Sequence, residues 1–144
     1  MNFIEFYKLK PGDRIVAPKS LAGLVQHHAV YLGSNYAGQN LIGENVYGKH
    51  VRVLTAEQFF LANPKVTRIE RFSGTNYDRQ VAVKRALKLL GQPYDLINFN
   101  CEHFANFVQH GKSESNQSKW GIFFGLIALF WIVGLLLKNS RSKF

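Results

Sequence analysis

The chain of 144 residues contains a single cysteine, Cys101, in a position that suits covalent chemistry. Asn98 or Asn100 can cap a helix whose first turn includes this cysteine, and Gly111 ends that helix. Unsatisfied N–H groups and the positive end of the helix dipole favour a thiolate there, which lowers the thiol pKa from about 8.5. The same N–H groups can bind the oxyanion that forms when a thiolate attacks a carbonyl. Cys101 is therefore a candidate nucleophile, and an inert buried thiol is the alternative interpretation.

A thiol nucleophile needs an imidazole base, and the pattern favours His27 for this role. His27 begins a predicted strand in which Ala29 and Tyr31 share its side, so a rigid element holds it at the edge of the core. His28 points to the opposite face of the same strand.

The other three histidines are poorer partners for the thiol. His103 is two residues from Cys101, about 200° around the helix, so its ring cannot approach the sulfur. His110 lies at the far end of that helix, and His50 lies in a turn. Exclusion therefore supports His27 as well.

The hydrophobic pattern and the turn residues indicate the elements that must position these side chains. Strands are predicted at residues 14–17, 27–32, 40–46, 51–54 and 66–72. Helices are predicted at about 55–62, 78–90 and 101–110. Strands thus come first and the cysteine-bearing helix comes last, which indicates one α+β domain over residues 1–111.

The charge and composition narrow the possible partners. Lys and Arg total 18 against 9 Asp and Glu, a formal charge of +9, which favours an anionic partner. The basic residues are scattered and form no cluster with interleaved aromatic residues. We therefore expect no nucleic acid partner and favour an acidic lipid surface. One cysteine with dispersed histidines matches no metal-ligand spacing, and no phosphate-binding glycine loop is present, so neither a metal nor a cofactor is expected.

The last quarter of the chain concentrates the apolar residues. Residues 120–137 contain 18 residues without a charge, which as a helix would span roughly 27 Å. They predict a transmembrane helix, with a polar linker at 112–119 and a basic tail at 138–144. The N-terminus lacks the pattern of a secretory signal, so we expect a single-pass C-terminal anchor with the preceding domain on the cytoplasmic side.

Several motifs carry a resemblance to a known family. NCEHF at residues 100–104, HxAVYLG at residues 27–33, KPGD at residues 10–13 and YDL at residues 94–96 together resemble the lecithin retinol acyltransferase family. This resemblance implies a permuted NlpC/P60, papain-like fold of the α+β class, with an antiparallel sheet of roughly five strands, two to three helices and a C-terminal transmembrane helix. It also implies that Cys101 is the nucleophile and His27 the general base.

The third member of the catalytic set departs from the family pattern. Family members commonly use a second histidine, at the end of the next strand, to orient the first imidazole. Without a gap that position is Gln39; with a longer loop it is Glu44, with Asn45 beside it, and His50 is a weaker alternative. We favour Glu44, because a carboxylate accepts the imidazole N–H and stabilises its cation.

The resemblance implies a two-step acyl transfer from a membrane phospholipid through a thioester on Cys101. Water as acceptor gives phospholipase A1/A2 activity, whereas an amine or an alcohol gives N- or O-acylation; the sequence leaves the acceptor and the oligomeric state open. A C-terminal helix in the lipid bilayer would keep such an enzyme near its substrate. Two alternatives remain: a peptidase or amidase of the wider NlpC/P60 type, and a non-enzymatic, membrane-tethered interaction module in which Cys101 only packs.

Overall fold

A computed structural model describes residues 2–20 and 25–141. The strands are β1 (Arg14–Ser20), β2 (Val25–Ser34), β3 (Asn40–Val46), β4 (His50–Thr55) and β5 (Arg68–Glu70). The helices are α1 (Phe3–Phe6), α2 (Ala56–Ala62), α3 (Asn76–Lys88), α4 (Cys101–His110) and α5 (Asn116–Arg141).

The five strands form one antiparallel sheet in the order β4-β3-β2-β1-β5. The expectation of an α+β domain with about five antiparallel strands is confirmed. The last strand is shorter than predicted, because the backbone N–H of Phe72 leaves the ladder and donates to Asp13 Oδ1 at 3.0 Å. The helix at the cysteine begins at residue 101, as the capping pattern predicts.

Each face of the sheet is covered by a separate apolar cluster. On one face Val30, Leu32 and Phe104 pack with α3 and α4. On the other face Tyr31 and Phe59 pack with α1 and α2. Since neighbouring residues of β2 point to opposite faces, this strand contributes to both clusters and forms the centre of the domain.

Asp13, the acidic residue of the KPGD motif, is a structural anchor. Its carboxylate is buried and accepts hydrogen bonds from the Lys10 and Phe72 N–H groups and from the side chains of Arg71 and Arg79. Burial raises the pKa of Asp13, but these donors outweigh it, and the pKa lies below its ordinary value. The motif therefore fastens the start of β1 to the chain before α3.

Helix α4 is fixed at both ends by local hydrogen bonds. The Asn100 side chain accepts from the Glu102 and His103 N–H groups, and His103 Nδ1 accepts from the Asn100 N–H, which completes a capping box. Gly111 ends the helix with a φ of 72°, a left-handed conformation that glycine adopts without strain. The position of Cys101 is thus set by the cap that precedes it.

The predicted transmembrane helix is not supported. In the part of the chain that the structure describes, no helix is both long enough and apolar enough to cross a membrane. Helix α5 begins at Asn116, inside the predicted linker. The single-pass C-terminal anchor and the membrane location derived from it are therefore wrong. Residues 142–144 of the predicted basic tail lie outside the described residues.

Replacement of Phe104 should show how strongly α4 is held to the sheet. Its side chain is fully buried and its ring lies 3.3 Å from where a Cβ on Gly43 would be. We expect Phe104→Ala to lower the free energy of unfolding by about 3–5 kcal/mol, because it removes a ring and leaves a cavity. Urea unfolding measures this loss. Phe6→Ala, at an exposed residue, is the control; equal losses in both variants would contradict this account of the core.

Candidate active site

His27 and Glu44 form a buried hydrogen-bonded pair between neighbouring strands. Ala29 of β2 lies directly opposite Glu44 of β3, and His27 is two residues before Ala29 on the same face. The register therefore brings the imidazole and the carboxylate together, with 2.7 Å between His27 Nε2 and Glu44 Oε2. Both side chains are almost fully buried, and the Phe59 ring stacks beside the imidazole with 6.1 Å between ring centroids.

Cys101 approaches this pair from the first residue of α4. Its thiol is buried and donates to the backbone carbonyl of Gln26, with 3.8 Å between Sγ and O. Since Nε2 of His27 is bound to Glu44, the nitrogen that remains for the thiol is Nδ1. That nitrogen is buried and has no partner at hydrogen-bonding distance among the described residues, yet the thiol is close enough to raise the pKa of the ring.

The pKa values of the two groups move toward each other. Burial lowers the pKa of His27, but the interactions with the nearby Cys101 thiol and with Glu44 outweigh burial and raise it to about 9. Burial raises the pKa of the Cys101 thiol, but the His27 cation outweighs it, and the pKa lies below its ordinary value. Both shifts favour an imidazolium beside a thiolate over the neutral pair.

Glu44 also has a partner that the sequence interpretation did not include. Arg52 Nε and Nη2 both donate to Glu44 Oε1, at 2.9 and 2.6 Å. Burial raises the pKa of Glu44, but its bonds with His27 and Arg52 lower it below the ordinary value. Cross-strand spacing could have indicated Arg52, because Arg52 of β4 is directly opposite Glu44 of β3.

The alternatives to Glu44 lie elsewhere. Gln39 bonds with Asn35 in the turn between β2 and β3. Asn45 points to the opposite face from Glu44, and its amide donates to the Phe99 carbonyl at 2.8 Å. His50 is exposed at the start of β4. The structure therefore brings Cys101, His27 and Glu44 together and leaves Gln39, Asn45 and His50 apart from them.

The remaining histidines have other surroundings. His28 is buried near Arg14; burial, and then the charge of Arg14, lower its pKa to about 4. His103 belongs to the cap of α4, and His110 is exposed at the end of that helix. No group of three or more histidine, cysteine or carboxylate side chains in the described part of the chain is arranged to hold a metal ion.

A largely apolar pocket of about 460 Å³ opens onto Cys101. Its walls come from the end of β1, the start of β2, the loop before α4, the first residue of α4, and α5. The lining residues are Lys19, Val25, Gln26, Tyr94, Leu96, Ile97, Asn100, Cys101, Gly121 and Ile122. An acyl chain could lie against these walls with its carbonyl at the thiol.

Glu102 and Asn100 of the NCEHF motif stabilise the structure around this pocket. Glu102 is buried, and its Oε2 accepts a hydrogen bond from the Ser115 hydroxyl at 2.6 Å. Ser115 directly precedes α5, and the Asn100 amide also donates to its hydroxyl. These bonds connect the cysteine helix to the helix that lines the other side of the pocket.

The family model of lecithin retinol acyltransferase matches residues 7–114, three quarters of the chain. The chain therefore belongs to this family, as its motifs predict. Among curated proteins it is similar to phospholipase A and acyltransferase 2 of Homo sapiens, with 43% identity over 68 residues, 42% of each chain. It is also similar to phospholipase A and acyltransferase 1 of Mus musculus, with 38% identity over 56 residues, 35% of this chain and 34% of the relative. The matched regions thus span about two fifths or less of these relatives.

The pH dependence of thiol alkylation should reveal the pairing of Cys101 and His27. Cys101 is the only cysteine, so the rate of carbamidomethylation by iodoacetamide reports one residue. The thiol pKa is lowered and that of His27 is raised to about 9, so we expect the midpoint of thiolate formation below its ordinary value of about 8.5.

His27→Gln should shift this midpoint upward by at least about one pH unit, because the buried thiolate loses its cation. His110→Gln, an exposed histidine, is the matched control and should leave the profile unchanged. A midpoint that is identical in wild type and His27→Gln would contradict the pairing.

Proposed function

We propose that this protein transfers acyl groups from glycerophospholipids through a thioester on Cys101, with His27 as the base and Glu44 as the group that orients it. The observation that carries this proposal is the buried His27–Glu44 pair, which leaves Nδ1 for the thiol at the end of an apolar pocket. The names of the two relatives, phospholipase A and acyltransferase, support the same reaction class.

In the first step the Cys101 thiolate attacks the carbonyl carbon of the ester. The C–O bond to the glycerol breaks as the tetrahedral intermediate collapses, and the His27 imidazolium gives its Nδ1 proton to the departing alkoxide. A lysophospholipid leaves and the acyl group stays on sulfur as a thioester.

In the second step neutral His27 removes a proton from the acceptor, which attacks the thioester carbonyl. The C–S bond breaks, and the thiolate returns beside a protonated imidazole, the pair present at the start. Water, an amine or an alcohol can all complete this step, so the acceptor decides between hydrolysis and transfer. Glu44 stays ionised in both steps and keeps Nε2–H hydrogen-bonded.

The first turn of α4 supplies the donor for the oxyanion. The Glu102 and His103 N–H groups already donate to the Asn100 side chain. They are therefore poorer candidates for the oxyanion donor. We assign the role to the Cys101 backbone N–H, because it lies next to the sulfur that attacks the carbonyl.

The walls of the pocket favour a lipid over a peptide. Val25, Leu96, Ile97 and Ile122 offer apolar surface near the thiol, whereas a peptide backbone needs hydrogen-bonding groups along its length. Lys19 is the cation among the lining residues, and it lies beside the Tyr94 ring, with 5.6 Å between Nζ and the ring centroid.

The covalent intermediate can be tested by intact-protein mass spectrometry after incubation with phosphatidylcholine, both as vesicles and as a dispersed short-chain lipid. We expect an acyl-sized mass increment on the wild type. It should be absent in Cys101→Ala and should form at least about 100-fold more slowly in His27→Ala, which loses its base. His110→Gln should behave as the wild type.

No increment on the wild type at any pH from about 6 to 9, a range around the ordinary histidine and cysteine pKa values, would refute the thioester mechanism. An increment in Cys101→Ala would place the acyl group on another residue. No lipid turnover by the wild type, together with an unchanged fold and stability in Cys101→Ala, would support a non-enzymatic module in which this cysteine only packs.

Two glycines of α5 allow a test of the acyl pocket. Gly121 lines the pocket, whereas Gly125, one turn further, does not, and a Cβ at either position would meet no atom within 4 Å. Gly121→Trp should therefore fill part of the pocket and reduce thioester formation from long-chain lipid by about tenfold or more. Gly125→Trp should leave the rate within about twofold. Equal rates in the two variants would show that the chain binds elsewhere.

A further inference from the structure

We propose that Arg52 is a positioning residue of the active site, which holds one oxygen of Glu44 so that the other stays on His27. This inference rests on the proposed function of the same site, but its geometry and its main test need no lipid turnover.

The sheet register sets Arg52 against the carboxylate. Arg52 of β4 and Ala29 of β2 are the two residues directly opposite Glu44, one on each side of β3. Because all three side chains share one face of the sheet, a residue at position 52 is the nearest cross-strand neighbour of Glu44 on the side away from His27.

The two oxygens of the Glu44 carboxylate accept hydrogen bonds from different residues. Oε1 accepts both donors of Arg52, whereas Oε2 accepts His27 Nε2 at 2.7 Å. A carboxylate held at one oxygen by two donors cannot rotate about its final bond without breaking both. Arg52 therefore fixes the direction of Oε2, and with it the plane of the imidazole.

Burial makes this support necessary. The Glu44 side chain is only 3% exposed, so its charge has little water to stabilise it, and His27 is protonated only during part of the reaction cycle. When His27 gives its proton away, Arg52 remains as the permanent cation of the site. The side chain of Arg52 is 36% exposed, so its guanidinium reaches the carboxylate from the rim of the domain.

The surroundings of the pair contain few other charges. His27 of β2 and Arg52 of β4 contact the carboxylate, and Cys101 of α4 lies beyond His27. From α2 the neighbour is the uncharged ring of Phe59, and the charge of Lys19 of β1 affects the thiol less than His27 does. Loss of Arg52 would thus leave Glu44 with His27 as its partner.

An ordinary edge-strand ion pair is the alternative explanation, and the chain provides a matched example of one. Arg68 and Glu70 form a pair at 2.7 Å on β5, the opposite edge of the sheet, with side chains 49% and 34% exposed. Such surface pairs contribute little to stability. Arg68→Gln therefore controls for the loss of one edge arginine.

The main test measures the thiolate midpoint of Cys101 by iodoacetamide alkylation in Arg52→Gln, Arg52→Lys and Arg68→Gln. With Oε2 no longer held, the bond to His27 weakens and the imidazolium is less stable. We expect the midpoint in Arg52→Gln to rise by about one pH unit. Lysine retains the charge but not the two donors on one oxygen, so Arg52→Lys should lie in between. Arg68→Gln should match the wild type.

Histidine NMR on the same variants shows directly whether the loss of Arg52 raises or lowers the pKa of His27. We expect the pKa of His27 to fall in Arg52→Gln from its high value in the wild type. A rise would overturn the proposal, because it would mean that Arg52 acts only as a competing cation. A midpoint in Arg52→Gln equal to that in Arg68→Gln would overturn it as well.

A double-mutant cycle with Glu44 tests whether Arg52 affects the thiolate midpoint of Cys101 through the Glu44 carboxylate. If Arg52 acts through the carboxylate, adding Arg52→Gln to Glu44→Gln should change the midpoint no further. An additive shift would overturn the positioning role.

In lipid turnover we expect kcat of Arg52→Gln to fall about tenfold with KM nearly unchanged. A rise in KM with kcat unchanged would instead place Arg52 in substrate binding and overturn the assignment.

Discussion

The hydrogen bond between His27 Nε2 and Glu44 Oε2 is the interaction on which the site depends. It places a buried carboxylate against a buried imidazole, which is tolerable only because each partner offsets the desolvation of the other. The bond fixes which ring nitrogen faces Cys101, and it favours the protonated ring that stabilises a thiolate. Burial alone would lower the pKa of His27 and raise the pKa of Cys101, since it disfavours the charged form of each.

The fold supplies this bond through the sheet rather than through a loop. His27 and Glu44 lie on adjacent strands near the centre of a five-stranded sheet, and apolar clusters cover both faces. Helix α4 delivers the thiol from an end that is capped by Asn100. Rigid elements thus hold each member of the site, which is what a reaction that needs short proton-transfer distances requires.

The pocket explains why a thiol enzyme of this kind would act on lipids. Its largely apolar lining comes from several separate parts of the chain, which include α4 and α5, and meets at Cys101. The buried bond between Glu102 and Ser115 connects two of those parts, the cysteine helix and α5. The NCEHF motif therefore combines the proposed nucleophile, a helix cap and packing groups within five residues.

The sequence by itself determined most of the local structure. The capping residues and the strand patterns predicted the helix at Cys101, the strand at His27 and roughly five strands, because these features depend on neighbours within a few residues. The motifs also indicated the family. Glu44 was one of four options for the third residue, since the loop after β2 has no fixed length in sequence, and its catalytic role remains a prediction.

The tertiary structure decided what depends on register and on distance between elements. It placed Glu44 on the face of His27 and Asn45 on the other, because successive strand residues alternate between faces. It brought Arg52 to the carboxylate, because the register between β3 and β4 places Arg52 directly opposite Glu44. The expected membrane-spanning helix at residues 120–137 was wrong: it was inferred from hydropathy alone, and no helix among the described residues is both long enough and apolar enough to cross a membrane. Local propensity follows from adjacent residues, whereas a site is assembled from residues that only the folded sheet makes neighbours.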